Sequence, residues 1–301
     1  MPDYGHDLLF GTLLEPPADR PQGAVELADL TEGSGLDLVS LSDHPYWPER
    51  LDTMTLLSTI AARTSRVRVM PNLANLPLRP PTVLARTAAT LDILTGGRFE
   101  LGLATGAQQM WDAILAEGGP ARGPGESVDA LEEAVQIIRR LWTPGDDVRF
   151  AGRHYRLDGV RPGPFPVHDI NIWVGAYQPR MLRLVGRIAD GWVPSSPFLP
   201  PERLGAANQI IDVAATEAGR LPEAVRRVYN VAGDFAATSS GFLQGPAPIW
   251  AEQLTELALT QGVSVFILYR ADSPNTIRRF GEEVAPAVRR MVAAARSGSS
   301  A

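Results

Sequence analysis

Eight short apolar runs, each followed by a helical pattern, recur along the 301-residue chain and restrict the folds open to it. The runs are 7–14 (DLLFGTLL), 36–43 (LDLVSLSD), 66–74 (RVRVMPNLA), 98–106 (RFELGLATG), 171–176 (NIWVGA), 191–195 (GWVPS), 225–236 (VRRVYNVAGDFA) and 263–269 (VSVFILY). Helical patterns cover 23–35, 52–64, 80–94, 127–142, 178–189, 200–219, 248–262 and 273–284. In 127–142, Val128, Leu131, Val135, Ile138 and Leu141 share one helical face, with the charges opposite. Prolines open the 80–94 pattern and Gly96-Gly97 close it. The strand runs lack clean alternation, as expected when helices cover a parallel sheet. Eight such units predict an α/β fold, a (β/α)8 TIM barrel forming a single domain over 1–301. The stretch 148–159 reads as a small inserted β-hairpin outside the main sheet. A doubly wound sheet is the structural rival, but GLATG is not the G-x-G-x-x-G dinucleotide fingerprint. Pro286 comes two residues after the last helical pattern and predicts a break there, followed by a second helical piece.

Composition narrows the chemistry. At 45% hydrophobic and 21% charged, the chain can fill a large core. Its net charge of −6 gives no basic footprint for nucleic acid. No apolar run reaches the roughly 18 residues that span a bilayer, and MPDYGHDLLFG lacks a signal-peptide pattern. The expectation is a cytoplasmic protein with a small-molecule substrate. There is no cysteine, so disulfides and thiolate metal sites are excluded. All 28 basic residues are arginine. That removes Schiff-base chemistry, a P-loop GK[ST] motif and a lysine general base.

In such barrels function gathers at the carboxyl ends of the strands. The first ends near Glu15, the second in Ser42-Asp43-His44, the third in Asn72-Leu73-Ala74-Asn75, the fourth in Thr105-Gly106. The fifth ends in Gly175-Ala176-Tyr177-Gln178, the seventh near Asp234, the eighth near Tyr269-Arg270. His44 is the one histidine at a strand end and is the natural proton donor or hydrogen-bond partner. Asp43 either caps a turn or joins it at the mouth. Without a second histidine at chelating spacing, no metal site is expected. Gly175, Ala176 and Gln178 form either a plain tight turn or a helix start holding a phosphate. Trp47 is a pocket wall or a loop anchor.

Taken together, LPLRPPTVLARTAATLDILTGGRFELGLATG (76–106), SDHPYW, the FAGRHYRLDG hairpin before GPFPVHDINIWVGA, and PRMLRLVGRIADGWVPS resemble the bacterial luciferase-like family of flavin- and F420-dependent oxidoreductases. The resemblance covers nearly the whole chain and implies the same barrel. It implies that Asp43 and His44 lie beside a cofactor ring, that Trp47 lines the substrate pocket, and that Asn72–Leu73 is a non-prolyl cis peptide behind the ring. It implies ring-edge and phosphate-side contacts at Thr105 and Gly106, and a phosphate loop at Gly175, Ala176 and Gln178. It also implies a homodimer. Sugar-phosphate dehydrogenases of the family carry a glutamate where this chain has Ala107.

The function expected is hydride transfer between coenzyme F420 and a small organic substrate. His44 would serve the substrate oxygen, Asp43 would orient His44 or the ring, and Glu15 is a weaker second acid. The alternative is FMN in the same site, giving a luciferase-like monooxygenase. Lesser alternatives are a barrel glycoside hydrolase using carboxylates such as Glu15 and Asp234, and a cofactor-less binding subunit.

Overall fold

The structure, a computed structural model, describes residues 3–298. Eight parallel strands form its main sheet: β1 (Leu9–Leu14), β2 (Leu38–Leu41), β3 (Arg68–Pro71), β4 (Leu101–Ala104), β5 (Ile172–Val174), β6 (Gly191–Trp192), β7 (Arg226–Val231) and β8 (Val263–Leu268). Each pairs with its sequence neighbour, and β1 also pairs with β8. The ring closes between β3 and β4 in two steps. Val69 bridges Phe99, and beyond a bulge Ala74–Asn75 continues β3 against Leu103 and Ala104. The predicted strand at 225–236 stops at Val231, and Asp234–Phe235 instead pairs with Gln244–Gly245 outside the ring.

The helices are α1 (Gly23–Gly33), α2 (Thr53–Arg63), α3 (Pro81–Thr95), a short α4 (Trp111–Ala116), α5 (Pro124–Trp142), α6 (Pro179–Ile188), α7 (Leu204–Glu217), α8 (Ala247–Gln261), α9 (Pro274–Arg279) and α10 (Ala285–Gly298); all stand near the expected patterns except α4, which the sequence did not announce. The break expected at Pro286 takes another form. A π-helical turn over Phe280–Val284 joins α9 to α10, so the helix widens ahead of the proline instead of stopping. The hairpin is present as Val148–Ala151 against Arg156–Val160. No helix among the described residues is long and apolar enough to cross a membrane.

Strand periodicity divides the core in two. One set of side chains, including Phe10, Leu14, Val39, Leu41 and Val69, packs outward against the helices. The other, Leu13, Leu38, Met70, Trp173, Val193, Val228, Val265 and Ile267, fills the barrel. Two residues further along the strands, the inward positions become Ser40, Asn72, Ser195 and Asn230. A polar layer therefore lies directly on the apolar plug at the carboxyl end.

The opposite end is closed by ion pairs. Glu100, just ahead of β4, pairs with Arg68 and accepts the backbone N–H and side-chain amide of Asn171 at 2.9 and 3.0 Å. His168 Nδ1 meets buried Asp92 at 2.5 Å, and its Nε2 is 3.8 Å from Glu100. Glu100, acting against burial and together with Asp92, raises the His168 pKa. The protonated form is therefore bound more tightly in the folded state. Its stabilisation is fully present below the ordinary histidine pKa and fades as pH rises through the raised one. Urea unfolding should find His168→Gln more damaging at pH 5.5 than at pH 9; an equal loss at both would show that charge plays no part.

Candidate active site

The carboxyl-end mouth is built from four strand ends. Asn72 Nδ2 donates to Asn230 Oδ1 at 2.9 Å and lies 3.3 Å from Ser40 Oγ. Asn230 Nδ2 donates to Ser195 Oγ at 3.0 Å. All four residues are buried, so the amides and hydroxyls satisfy one another in a small closed network. Asn230, Ser195 and Ser40 were not anticipated from the sequence. They sit inside apolar strands, and only the inward phase of β2, β6 and β7 reveals them.

Directly above this network the Asn72–Leu73 peptide is cis, as the resemblance implied. The Leu73 side chain then lies between two glycines. A Cβ on Gly175 would come within 2.4 Å of Leu73 Cδ1, and one on Gly102 within 2.7 Å of Leu73 Cδ2. These glycines seat a flat apolar shelf at the mouth. Gly106 has φ +82°, and a Cβ there would come within 2.8 Å of Ile114 Cδ1. Thr105 is half-buried and lines a cavity of about 290 Å³ with Pro77, Trp111, Ile114 and Arg122. Ala176 is buried and its carbonyl accepts Trp192 Nε1 at 2.9 Å. Gln178 is an exposed N-cap of α6 whose side chain makes no capping bond. Its neighbour Tyr177 accepts the Ser195 N–H at 3.2 Å.

Asp43 and His44 part company. The Asp43 carboxylate is 1% exposed and fully engaged: it accepts Arg79 Nε and Nη2 at 2.7 and 2.8 Å and the Asn75 N–H at 2.8 Å. Burial opposes the charge on Arg79, but Asp43 and Asp52 outweigh it and push its pKa up. Asp43 thus ties the end of β2 to the backbone beyond the β3 bulge. It does not orient His44, which is a correction to the expectation. That task falls to Tyr46, whose hydroxyl is 2.7 Å from His44 Nδ1. Burial, with a smaller part from Asp43, raises the Tyr46 pKa to about 12, so the phenol keeps its proton. Burial lowers the His44 pKa, and Arg270 adds to this against Asp43. At neutral pH the imidazole is therefore neutral. Both neutral tautomers satisfy this contact: the phenol donates to Nδ1 with the ring hydrogen on Nε2, or Nδ1–H donates to the phenol oxygen and Nε2 is left free. Trp47 packs on His44 at 4.2 Å between centroids with the rings tilted by 32°, and Arg50 lies 4.7 Å above the indole.

Glu15, the weaker acid candidate, is ion-paired with Arg50 and accepts Ser42 Oγ at 2.9 Å. It is a structural counterion, not a free second acid. Asp234 meets Gln244 at 3.4 Å outside the ring, and Glu100 closes the far end. Among the described residues these carboxylates are therefore not assembled as a pair across the mouth, the arrangement a glycosidase needs. Among the described residues no group of three or more His, Asp and Glu side chains is placed to hold a metal ion.

The sequence profile described as luciferase-like monooxygenase matches residues 8–245, most of the chain. The chain belongs to the luciferase-like family. A putative coenzyme F420-dependent oxidoreductase of Mycobacterium tuberculosis is 31% identical over 207 residues, covering 65% of this chain and 56% of that protein. An F420-dependent glucose-6-phosphate dehydrogenase of Nocardia farcinica is 30% identical over 222 residues, covering 70% of this chain and 64% of that protein. The chain thus spans less than two thirds of either relative's length. Among solved structures, an F420-dependent secondary alcohol dehydrogenase superimposes with a TM-score of 0.81 at 18% identity, covering 94% of this chain and 99% of that one. At that identity the likeness establishes the barrel and no more.

The Asp43–Arg79 tie generates a direct expectation. Replacing Arg79 with Met leaves a buried carboxylate with one backbone partner. Chemical denaturation should register a loss of about 3 kcal/mol, the usual cost of breaking a buried pair from one side. A change under about 0.5 kcal/mol, the size of a surface substitution, would contradict the tie.

Proposed function

We propose that the chain is an F420-dependent oxidoreductase that moves a hydride between bound cofactor and a small organic substrate at the barrel mouth. The observation carrying this reading is the cluster of His44, Tyr46 and Trp47 at the end of β2, together with Leu73 seated between Gly102 and Gly175 at the same end of the barrel. The donor set fits a flat heterocycle: Asn amides, hydroxyls and an apolar shelf, with the Asn75 Oδ1 acceptor buried and unpaired. The F420-dependent relatives support the same choice.

Asn72, Leu73, Thr105 and Gly106 would hold the ring, with Asp43 acting only through the backbone it fixes. Gly175, Ala176 and Gln178 would hold the phosphate region at the start of α6. F420, when bound, supplies a carbon centre that accepts or donates hydride. The protein's own contribution is positioning and proton handling. Neutral His44 with its hydrogen on Nδ1, given to the Tyr46 oxygen, would leave Nε2 free to accept the proton of a substrate hydroxyl as that carbon is oxidised, and the imidazolium would return it in the reverse direction. Trp47 walls the substrate side and excludes water. Glu15 would stay paired with Arg50.

A second reading, FMN with oxygen chemistry, keeps the same residues and is favoured by the monooxygenase description of the family. Fluorescence titration of the protein with F420 and with FMN separates the two; tighter binding of FMN would overturn the first. A homodimer fits the exposed apolar stripe of Val83 and Leu94 on α3, and a cytoplasmic setting fits the lack of cysteine.

His44→Ala should slow turnover by about 100-fold, the lower end of general acid–base contributions, while F420 affinity stays within about twofold. Unchanged turnover would remove His44 from the mechanism. Because the imidazole works in its neutral form, the rate should fall on the acid side as pH drops through a pKa below 6.5. Steady-state kinetics from pH 5 to 8 reads this limb directly.

A further inference from the structure

Two arginines at the mouth share one carboxylate. Arg50 is fully committed: it pairs with Glu15, donates to Ser42 Oγ at 3.1 Å and lies over Trp47. Arg270, at the end of β8, is not. Its Nε is 4.0 Å from Glu15 Oε1, too far for a hydrogen bond. Its guanidinium makes no hydrogen bond among the described residues, and its side chain is 66% exposed. It also lies 5.5 Å over the Tyr269 ring.

The position of this cation is specific. From Arg270 a continuous path of contacts runs through Glu15, Arg50 and Trp47 to His44. The backbone holds Arg270 at φ +52°, a left-handed conformation that most residues avoid. The chain as a whole carries −6, yet here one positive charge is left over among aromatic groups. Arginine binds carboxylates through paired N–H donors and keeps its charge at any working pH.

We propose that Arg270 anchors a carboxylate of the substrate, so that the mouth selects small organic anions. This rests on the reading that places substrate beside His44. Charge pairing fixes the end of the molecule remote from the reacting oxygen, and the aromatic wall of Trp47 and Tyr269 takes its apolar part. The cofactor's own acidic groups offer the same chemistry, and the test separates them.

The experiment compares benzoate with its neutral isostere benzamide, following the His44 ring by NMR in the cofactor-free protein. Wild type should bind benzoate about tenfold more tightly, the gain of one charge-assisted hydrogen bond, and benzoate should shift the His44 signals. Arg270→Gln should bind the two alike, Arg270→Lys should keep part of the preference, and Arg149→Gln on the exposed hairpin should behave as wild type. Equal binding in wild type, a preference that survives in Arg270→Gln, or benzoate binding that leaves His44 unmoved would each overturn the proposal. So would a loss of F420 affinity in Arg270→Gln together with displacement of benzoate by F420, because Arg270 would then serve the cofactor. Failure of F420 to bind any variant would count against the cofactor reading alone, since the benzoate comparison needs no cofactor.

Discussion

The buried carboxylate of Asp43 is the constraint from which the mouth takes its shape. It holds the end of β2, the backbone at Asn75 and the guanidinium of Arg79 in one hydrogen-bonded knot. Arg79 passes the tie on to Asp52, the N-cap of α2. The bulge after β3 is thereby fixed from one side, and the seat of Leu73 between Gly102 and Gly175 fixes it from the other. A charge buried without such partners would be costly, so the knot forms as a unit. What stands next to it in sequence, His44, is released from structural duty and turns to Tyr46 and Trp47.

The barrel interior changes character within one pair of residues along each strand. Below lie Met70, Trp173 and Val228; above them lie Asn72 and Asn230 with their serine partners. The apolar plug denies water access from beneath, and the amide layer offers oriented dipoles in a dry setting, where they act more strongly than in solvent. The far end of the same strands carries the Arg68–Glu100 and His168–Asp92 contacts, which are matters of stability.

Much of this was legible in the chain. The eightfold recurrence of apolar runs carried the barrel, and the abrupt change from LVSL to SDH marked a functional strand end. Family resemblance, not spacing, supplied the cis bond at Asn72–Leu73. The partners were harder. Asn230 lies 158 residues from Asn72, and no local pattern links them. Neither Arg79, just ahead of a proline-rich helix start, nor Tyr46, just past a strand end, carries a local mark of its role, because a hydrogen-bond partner is a property of three-dimensional neighbours. For Asp43 the residues left open a turn cap or a place beside His44, and the resemblance favoured the pair; in the fold its carboxylate turns to Arg79 and Asn75 while His44 turns to Tyr46. Pro286 predicted an interruption, and the chain met it with a π-helical turn, because neighbouring packing on Phe280 and Val284 rewards continuing the helix.

The long reach of the Asn72–Asn230 contact bears on how the protein matures. During synthesis the segment through β5 can collapse and bury its helices, but the amide layer lacks its seventh stave until residue 230 has left the ribosome. β8 must then still pair with β1 to close the ring. Any heterocycle that needs this layer meets a complete receptor only after nearly the whole chain has emerged, so loading follows closure and cannot template it.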